Sequence, residues 1–183
     1  MTELVTPDVR WHASWAAAML EFGTDYPHGS GLGDPAPAYD EQGCAAYAAW
    51  LRSAAGTPIR QDWVACSFSW ITDGREVVGF LALRHVLNDW LLQEGGHIGY
   101  SVRPSRRREG HASRALVLAL DEAAALGIEH ALVTCDEDNE GSRGTIEGAG
   151  GRHEDSRNGK RRYWLPTDDV SRSAPDGGDA ARS

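Results

Sequence analysis

Arg103, Arg106, Arg107 and Arg108 crowd into the stretch SVRPSRRREGHASRAL, residues 101–116, of a chain whose formal net charge is -9. The stretch joins a strand-like segment, GGHIGYSVRP, to a helix-like one, and Gly110 and Ala112 place small residues where the helix opens. A helix N-terminus presents unsatisfied N–H groups and partial positive charge. A glycine ahead of it lets the backbone approach a ligand closely, and arginines add forked donors. Together these residues predict a site for a phosphate-like anion at 107–112. Two other phosphate loops are excluded, because the sequence has no GxxxxGK[ST] and no GxGxxG following a strand.

Such a loop must be held by a folded scaffold, and the composition provides for one. At 183 residues the chain can bury a single core but is short for two domains, and 41% hydrophobic with 25% charged residues is ordinary for a globular protein. Its acidic balance disfavours a broad grip on nucleic acid, which needs a wide Lys/Arg surface. The three cysteines, Cys44, Cys66 and Cys135, form no CxxC pair, so neither a metal site nor a disulfide framework is expected. No basic and apolar leader opens the chain, and no run approaches the roughly 20 apolar residues of a membrane span, which predicts a cytoplasmic protein with no membrane partner.

Apolar spacing predicts helices over 7–22 and 39–54, separated by the Gly/Pro-rich loop TDYPHGSGLGDPAPAYD. The β-branched and aromatic runs DWVACSFSWI and REVVGFLALRHVL read as an antiparallel pair turning at Asp73 and Gly74. GGHIGYSVRP is a third strand, 112–126 the clearest helix with Gly127 at its cap, and EHALVTC a buried strand. Asn139 caps a short, glycine-weakened helix, and Asn158-Gly159 turns a closing hairpin. Residues 1–166 are expected to form the domain, and 167–183, poor in apolar residues, a disordered tail.

The segment Arg107-Arg108-Glu109-Gly110-His111-Ala112 fits the pattern [Q/R]xxGx[G/A], with Val102-Arg103-Pro104 before it and the Asn-led segment VTCDEDNEGSRGTIEGAGG after it. In these motifs the sequence resembles the GCN5-related N-acetyltransferases, the GNAT superfamily. The resemblance implies an α/β (mixed α+β) fold, with a central mixed, mostly antiparallel sheet flanked by helices and splayed at the acetyl-CoA site. It implies acetyl-CoA as co-substrate, its pantetheine and acyl group along Tyr100, Ser101 and Val102. The pyrophosphate would lie on Arg107, Arg108, Glu109, Gly110, His111 and Ala112, with Asn139 and Ser142 on the far side. The family often carries a glutamate as proton acceptor just before the segment Ile98-Gly99-Tyr100. Here that position is His97, whose unperturbed pKa of about 6.5 suits it to accept a proton near neutrality, and Glu94 is the nearest carboxylate substitute. The tyrosine that commonly protonates the leaving thiolate falls near Ile146, which cannot donate; Tyr100, Ser142 or water are the replacements.

The activity implied is N-acetyl transfer from acetyl-CoA to a primary amine of a small molecule or peptide. The alternative is a non-catalytic acyl-CoA-binding or regulatory module that kept the groove and lost turnover. Asn88 and Asp89, at the end of the second strand, are the acceptor-binding candidates, together with the loop at 24–40. Net acidity mildly favours a cationic amine, and exposed tryptophans would suit a homodimer.

Overall fold

The computed structural model describes residues 1–33 and 36–168. Strand β1 (Glu3–Val5) leads through a short 3-10 turn into helix α1 (His12–Phe22), and helix α2 (Glu41–Ser53) follows the Gly/Pro-rich loop. Strands β2 (Cys66–Thr72), β3 (Val77–Arg84) and β4 (Ile98–Val102) precede helix α3 (His111–Ala125). Strand β5 (His130–Asp136), helix α4 (Glu140–Gly148) and the hairpin of β6 (Arg152–Arg157) and β7 (Lys160–Pro166) complete the domain. The seven strands form one sheet in the order β1-β2-β3-β4-β5-β7-β6, antiparallel at every junction except the parallel β4–β5.

Two cores sandwich the sheet. On one face Leu81, Leu83 and Ile98 pack against Leu116, Ala119, Leu120 and Ala123 of α3. On the other, Phe68, Trp70, Phe80 and Ala82 meet Trp15 and Met19 of α1 and Tyr47 and Leu51 of α2. Because β3 is covered on both faces, its sequence reads as the continuous apolar run VVGFLAL rather than as an alternation. The cap of α3 follows the sequence reading: Gly127 (φ 80) donates to Ala124 O and Ile128 to Ala123 O, a Schellman closure. Asn158 (φ 51) and Gly159 (φ 75) turn the β6–β7 hairpin with both residues left-handed, the conformation that a two-residue I′ turn demands.

Some boundaries depart from the sequence reading. The strand expected from Asp62 begins at Cys66, so Asp62, Trp63 and Val64 leave the ladder and line a cavity instead. Strand β1, too short and uneven to announce itself, pairs with β2 at the sheet edge. Leu91–Gly95 winds as a π turn, and Asn88 Oδ1 accepts from Leu91 N–H ahead of it. The expected disordered tail lies, from 169 onward, outside the described residues. Its first residue, Thr167, is buried, and its hydroxyl donates to Ile128 O at 2.6 Å. Among the described residues no helix is long and apolar enough to cross a membrane. Trp90 is the one large, exposed aromatic of the tryptophan set, at 57%.

Candidate active site

The parallel junction of β4 and β5 is where the sheet opens. Its register holds a single pair, Ile98 with Val133. Just before it, His97 N–H donates to Leu132 O at 2.7 Å, and Leu132 N–H donates to the Nδ1 of His97 at 2.9 Å. Beyond Ile98 the strands part, and a cavity of about 670 Å³ opens between Gly99 and Tyr100 on one side and Thr134 and Asp136 on the other. The loop after α1 forms its third wall. Gly29 (φ 84) presses against the sheet so closely that a Cβ there would lie 2.5 Å from Gly99 O, and Ser101 Oγ ties the same loop by donating to His28 O at 2.7 Å.

The loop at 107–112 opens helix α3 as the sequence predicts, and the arginines around it are engaged unequally. Arg106 is locked into protein carboxylates: it reaches Asp73 at 2.9 Å, Glu109 at 3.0 Å, and Glu76. Against the effect of burial, the backbone N–H groups of Arg75 and Glu76, with Arg106 after them, hold the Asp73 carboxyl well below the ordinary carboxylate range. Arg103 binds Glu21 at 2.5 Å, and the same carboxylate accepts from Ser105 N–H. Those bonds fix the loop to α1 and to the β2–β3 turn. Arg107 and Arg108 stay exposed, Arg107 Nε donating to Val102 O at 3.1 Å. Arg108 (φ 66) and Gly110 (φ 81) both take left-handed backbone, and a Cβ on Gly110 would meet nothing within 4 Å. The first α3 residue whose N–H finds a carbonyl is Arg114, on Gly110 O at 3.1 Å, so the preceding N–H groups of His111, Ala112 and Ser113 are the open donors of a helix start. The His111 side chain turns away from them. It is buried between Thr2 Oγ1 at 2.9 Å and Glu109, and Glu109 is exposed.

The sequence-derived catalytic set is only partly brought together. His97 is set apart from the others. Its ring does not line the cavity, its Nδ1 lone pair is occupied by the Leu132 N–H, and burial, with Arg84 nearby, pushes its pKa down to about 4. The imidazole stands in for a ladder acceptor where the sheet splits. Glu94, by contrast, lines the cavity, with Asn158 Nδ2 donating to its Oε1 at 3.3 Å. Tyr100 and Ser142 meet there: the phenol and hydroxyl oxygens lie 2.9 Å apart, and burial raises the Tyr100 pKa to about 12. Asn139 also lines the cavity and accepts the Ser142 N–H at 2.9 Å. Ile146, where the family's tyrosine was sought, is wholly buried in the core. Of the acceptor candidates, Asn88 lines the cavity, with its amide donating to Asp62 O, whereas Asp89 is exposed outside it.

Two residues with chemical capacity escaped the sequence reading. His28, an exposed residue, lines the cavity, and no hydrogen bond engages its ring among the described residues; partial desolvation at the cavity wall and then Lys160 lower its pKa, against the opposing pull of Asp136. Its signal is the long loop containing YPHGSG, which the sequence marks only as an acceptor-side segment. Arg84 lines the cavity from the end of β3. Lys160 and Asp136, both in the lining, are paired with each other.

Split sheet, open helix start and hydroxyl-lined cavity together define an acyl-transfer architecture. The sequence matches the family described as Acetyltransferase (GNAT) domain over residues 9–152, and the chain belongs to that family of acetyltransferases. Solved structures share the fold. RimJ of Mycobacterium smegmatis in complex with CoA-disulfide is 19% identical, with a TM-score of 0.63 over 90% of this chain and 81% of that one. The microcin C7 self-immunity acetyltransferase MccE, in complex with acetyl-CoA and AMP, is 13% identical, with a TM-score of 0.61 over 90% and 92%. A Salmonella typhimurium acetyltransferase that modifies the N-terminal serine of ribosomal protein L7/L12 is 16% identical, with a TM-score of 0.61 over 91% and 95%. No curated protein matches the sequence.

Proposed function

We propose that this protein transfers an acetyl group from acetyl-CoA to a primary amine of a small molecule or peptide by direct attack. The observation that carries the reading is the continuity of the open α3 start at 107–112, the strand β4 and the cavity where β4 leaves β5. An anion seated on the free N–H groups of His111 to Ser113 would leave the rest of a long thiol cofactor to follow β4 toward Tyr100. The co-crystallised CoA of RimJ and the acetyl-CoA of MccE, on the same fold, support that ligand. The Salmonella relative's action on an N-terminal serine supports a peptide N-terminus as one acceptor class.

In the reaction the neutral amine nitrogen bonds to the thioester carbonyl carbon, the carbon–sulfur bond breaks, and the CoA thiolate departs. The protein must therefore take a proton from the amine and stabilise the thiolate. His28 is the better proton acceptor of the two candidates in the cavity. A histidine's ordinary pKa of about 6.5 already leaves it mostly unprotonated at neutral pH, its shift is downward, and its ring nitrogens meet no hydrogen-bond partner among the described residues, whereas Glu94 is engaged by Asn158. Glu94 then serves as counter-charge for the incoming ammonium. Tyr100 supplies the phenol that α4 lacks: with a pKa of about 12 it stays protonated over the working range and donates toward the thiolate, held by Ser142. That replacement weakens the case for a groove that binds acyl-CoA without turnover, which rested on Ile146.

The test is an acetyl-CoA-dependent screen of amines read by free thiol, with His28→Gln alongside the wild type. Turnover should appear with at least one amine and fall by about 100-fold or more in the variant, the lower end for loss of a general base, while CoA affinity is kept. Tight CoA binding with no thiol release from any amine would establish the non-catalytic alternative.

A further inference from the structure

Among the described residues Arg84 is a cation without a counter-ion. Its Nη1 donates to two backbone carbonyls, Gly95 O at 2.9 Å and Gly96 O at 3.2 Å. Its Nε and Nη2 meet no acceptor, and no carboxylate lies within ion-pair distance, among the described residues. Neither atom is sealed in the interior, for the sealed partnerless polar atoms are Trp11 Nε1, Trp15 Nε1, Trp70 Nε1 and Arg162 Nε. The guanidinium lies against the cavity wall at Gly99, where a Cβ would stand 3.3 Å from Nη1 and 3.5 Å from Nη2. Desolvation depresses its pKa, the mark of a cation whose surroundings offer it too little. The other cation of the lining, Lys160, is already neutralised by Asp136. Arginines of the phosphate loop are likewise matched with carboxylates where they are partly buried.

A half-buried guanidinium held by two carbonyls, with its remaining edge free in a cavity, is a preorganised fork for a planar anion. Its place on β3, across Gly99 from the split of the sheet, sets it on the acceptor's side, away from the cradle at 107–112. Resting on the proposed acetyl transfer, we infer that the acceptor amine carries a carboxylate that binds the Nε and Nη2 edge of Arg84. The acceptor is thus an amino acid or another amine with an acid group near it, its ammonium facing the acidic side chains of the wall, Glu94 and Asp62.

The test compares a panel of amino acids, each paired with its carboxamide, by kcat/KM with acetyl-CoA in wild type, Arg84→Gln and Arg84→Lys. Loss of a charge-assisted pair predicts that wild type favours the acid over its amide by roughly 10- to 100-fold. The preference should collapse toward unity in Arg84→Gln and survive in part in Arg84→Lys. This ratio is independent of how much of a variant folds, so damage from losing the Gly95 and Gly96 bonds cannot mimic the result. Equal use of acid and amide by the wild type, an unchanged preference in Arg84→Gln, or no turnover of any panel member by a protein that binds acetyl-CoA would overturn the inference alone. An Arg84-dependent preference for succinyl-CoA over acetyl-CoA would also overturn it, by placing the anion on the acyl group. Failure to bind acetyl-CoA would instead overturn the proposed function, and the inference with it.

Discussion

Gly110 and Gly127 offer a matched pair for separating backbone strain from ligand approach. They flank α3, with φ of 81 and 80, and a Cβ built on either meets nothing within 4 Å. Alanine at either site must accept left-handed backbone, costing about 1–2 kcal/mol. Since about 1 kcal/mol moves the melting point of a domain this size by about 2–4 °C, each variant should melt several degrees below wild type. The Gly110 variant should fall slightly further, because alanine also caps a helix less well than glycine. Binding should tell them apart. The open space beside Gly110 is where an anion would approach the free N–H groups of His111 to Ser113, and a methyl there displaces it. Losing one such charge-assisted contact is worth about 1.5–3 kcal/mol, or roughly 10- to 100-fold in affinity. Calorimetry with CoA should show that loss for Gly110→Ala and near wild-type affinity for Gly127→Ala. Equal affinities in the two folded variants would refute the placement of the pyrophosphate.

Two further expectations concern proton chemistry. His97, with its folded pKa pushed down to about 4 from an unfolded value near 6.5, binds fewer protons folded than unfolded between those limits. Its neutral state therefore favours the fold fully above pH 6.5, and about 3 kcal/mol is lost as pH falls to 4; His97→Gln should flatten that limb in pH-dependent melts yet leave the pH profile of turnover unmoved, and a shifted profile would restore His97 as the base. Tyr100→Phe should lower kcat roughly 10- to 100-fold with CoA affinity kept, at or below the low end for general acids because a thiolate leaves readily; an unchanged single-turnover rate would assign the proton to water.

The fold was legible where one physical cause dominates the sequence. Helix α3 showed its buried face at regular spacing, with Ala115, Leu116, Ala119, Leu120 and Ala123 all wholly buried. Asn158-Gly159 fixed its hairpin through backbone conformation alone. What stayed hidden depends on partners distant in the chain. Strand β1 exists because β2 offers it an edge, Thr72 to Trp70, and Thr167 is fixed by carbonyls at Ile128 and Glu129. A weak local preference cannot announce a long-range bond.

The site divides along the same line. The proposed anion cradle is local: strand, loop, glycine and helix follow one another within 98–125, so spacing alone can point to it. Proton chemistry is not local. His97 stood at the expected place along the chain, but a ring's use depends on what its nitrogens face. Leu132, 35 residues on, occupies Nδ1. His28 comes from a loop with no periodic signal and reaches the cavity because Gly29 lets that loop press onto β4. Arg84 has the look of the polar end of a strand, and the binding role proposed for it rests on the lack of any carboxylate around it among the described residues, visible once Gly95, Gly96 and Gly99 are folded beside it. A spacing motif locates where a ligand's charge is met by backbone; which side chains then carry the reaction is decided by burial and by the hydrogen bonds already spent.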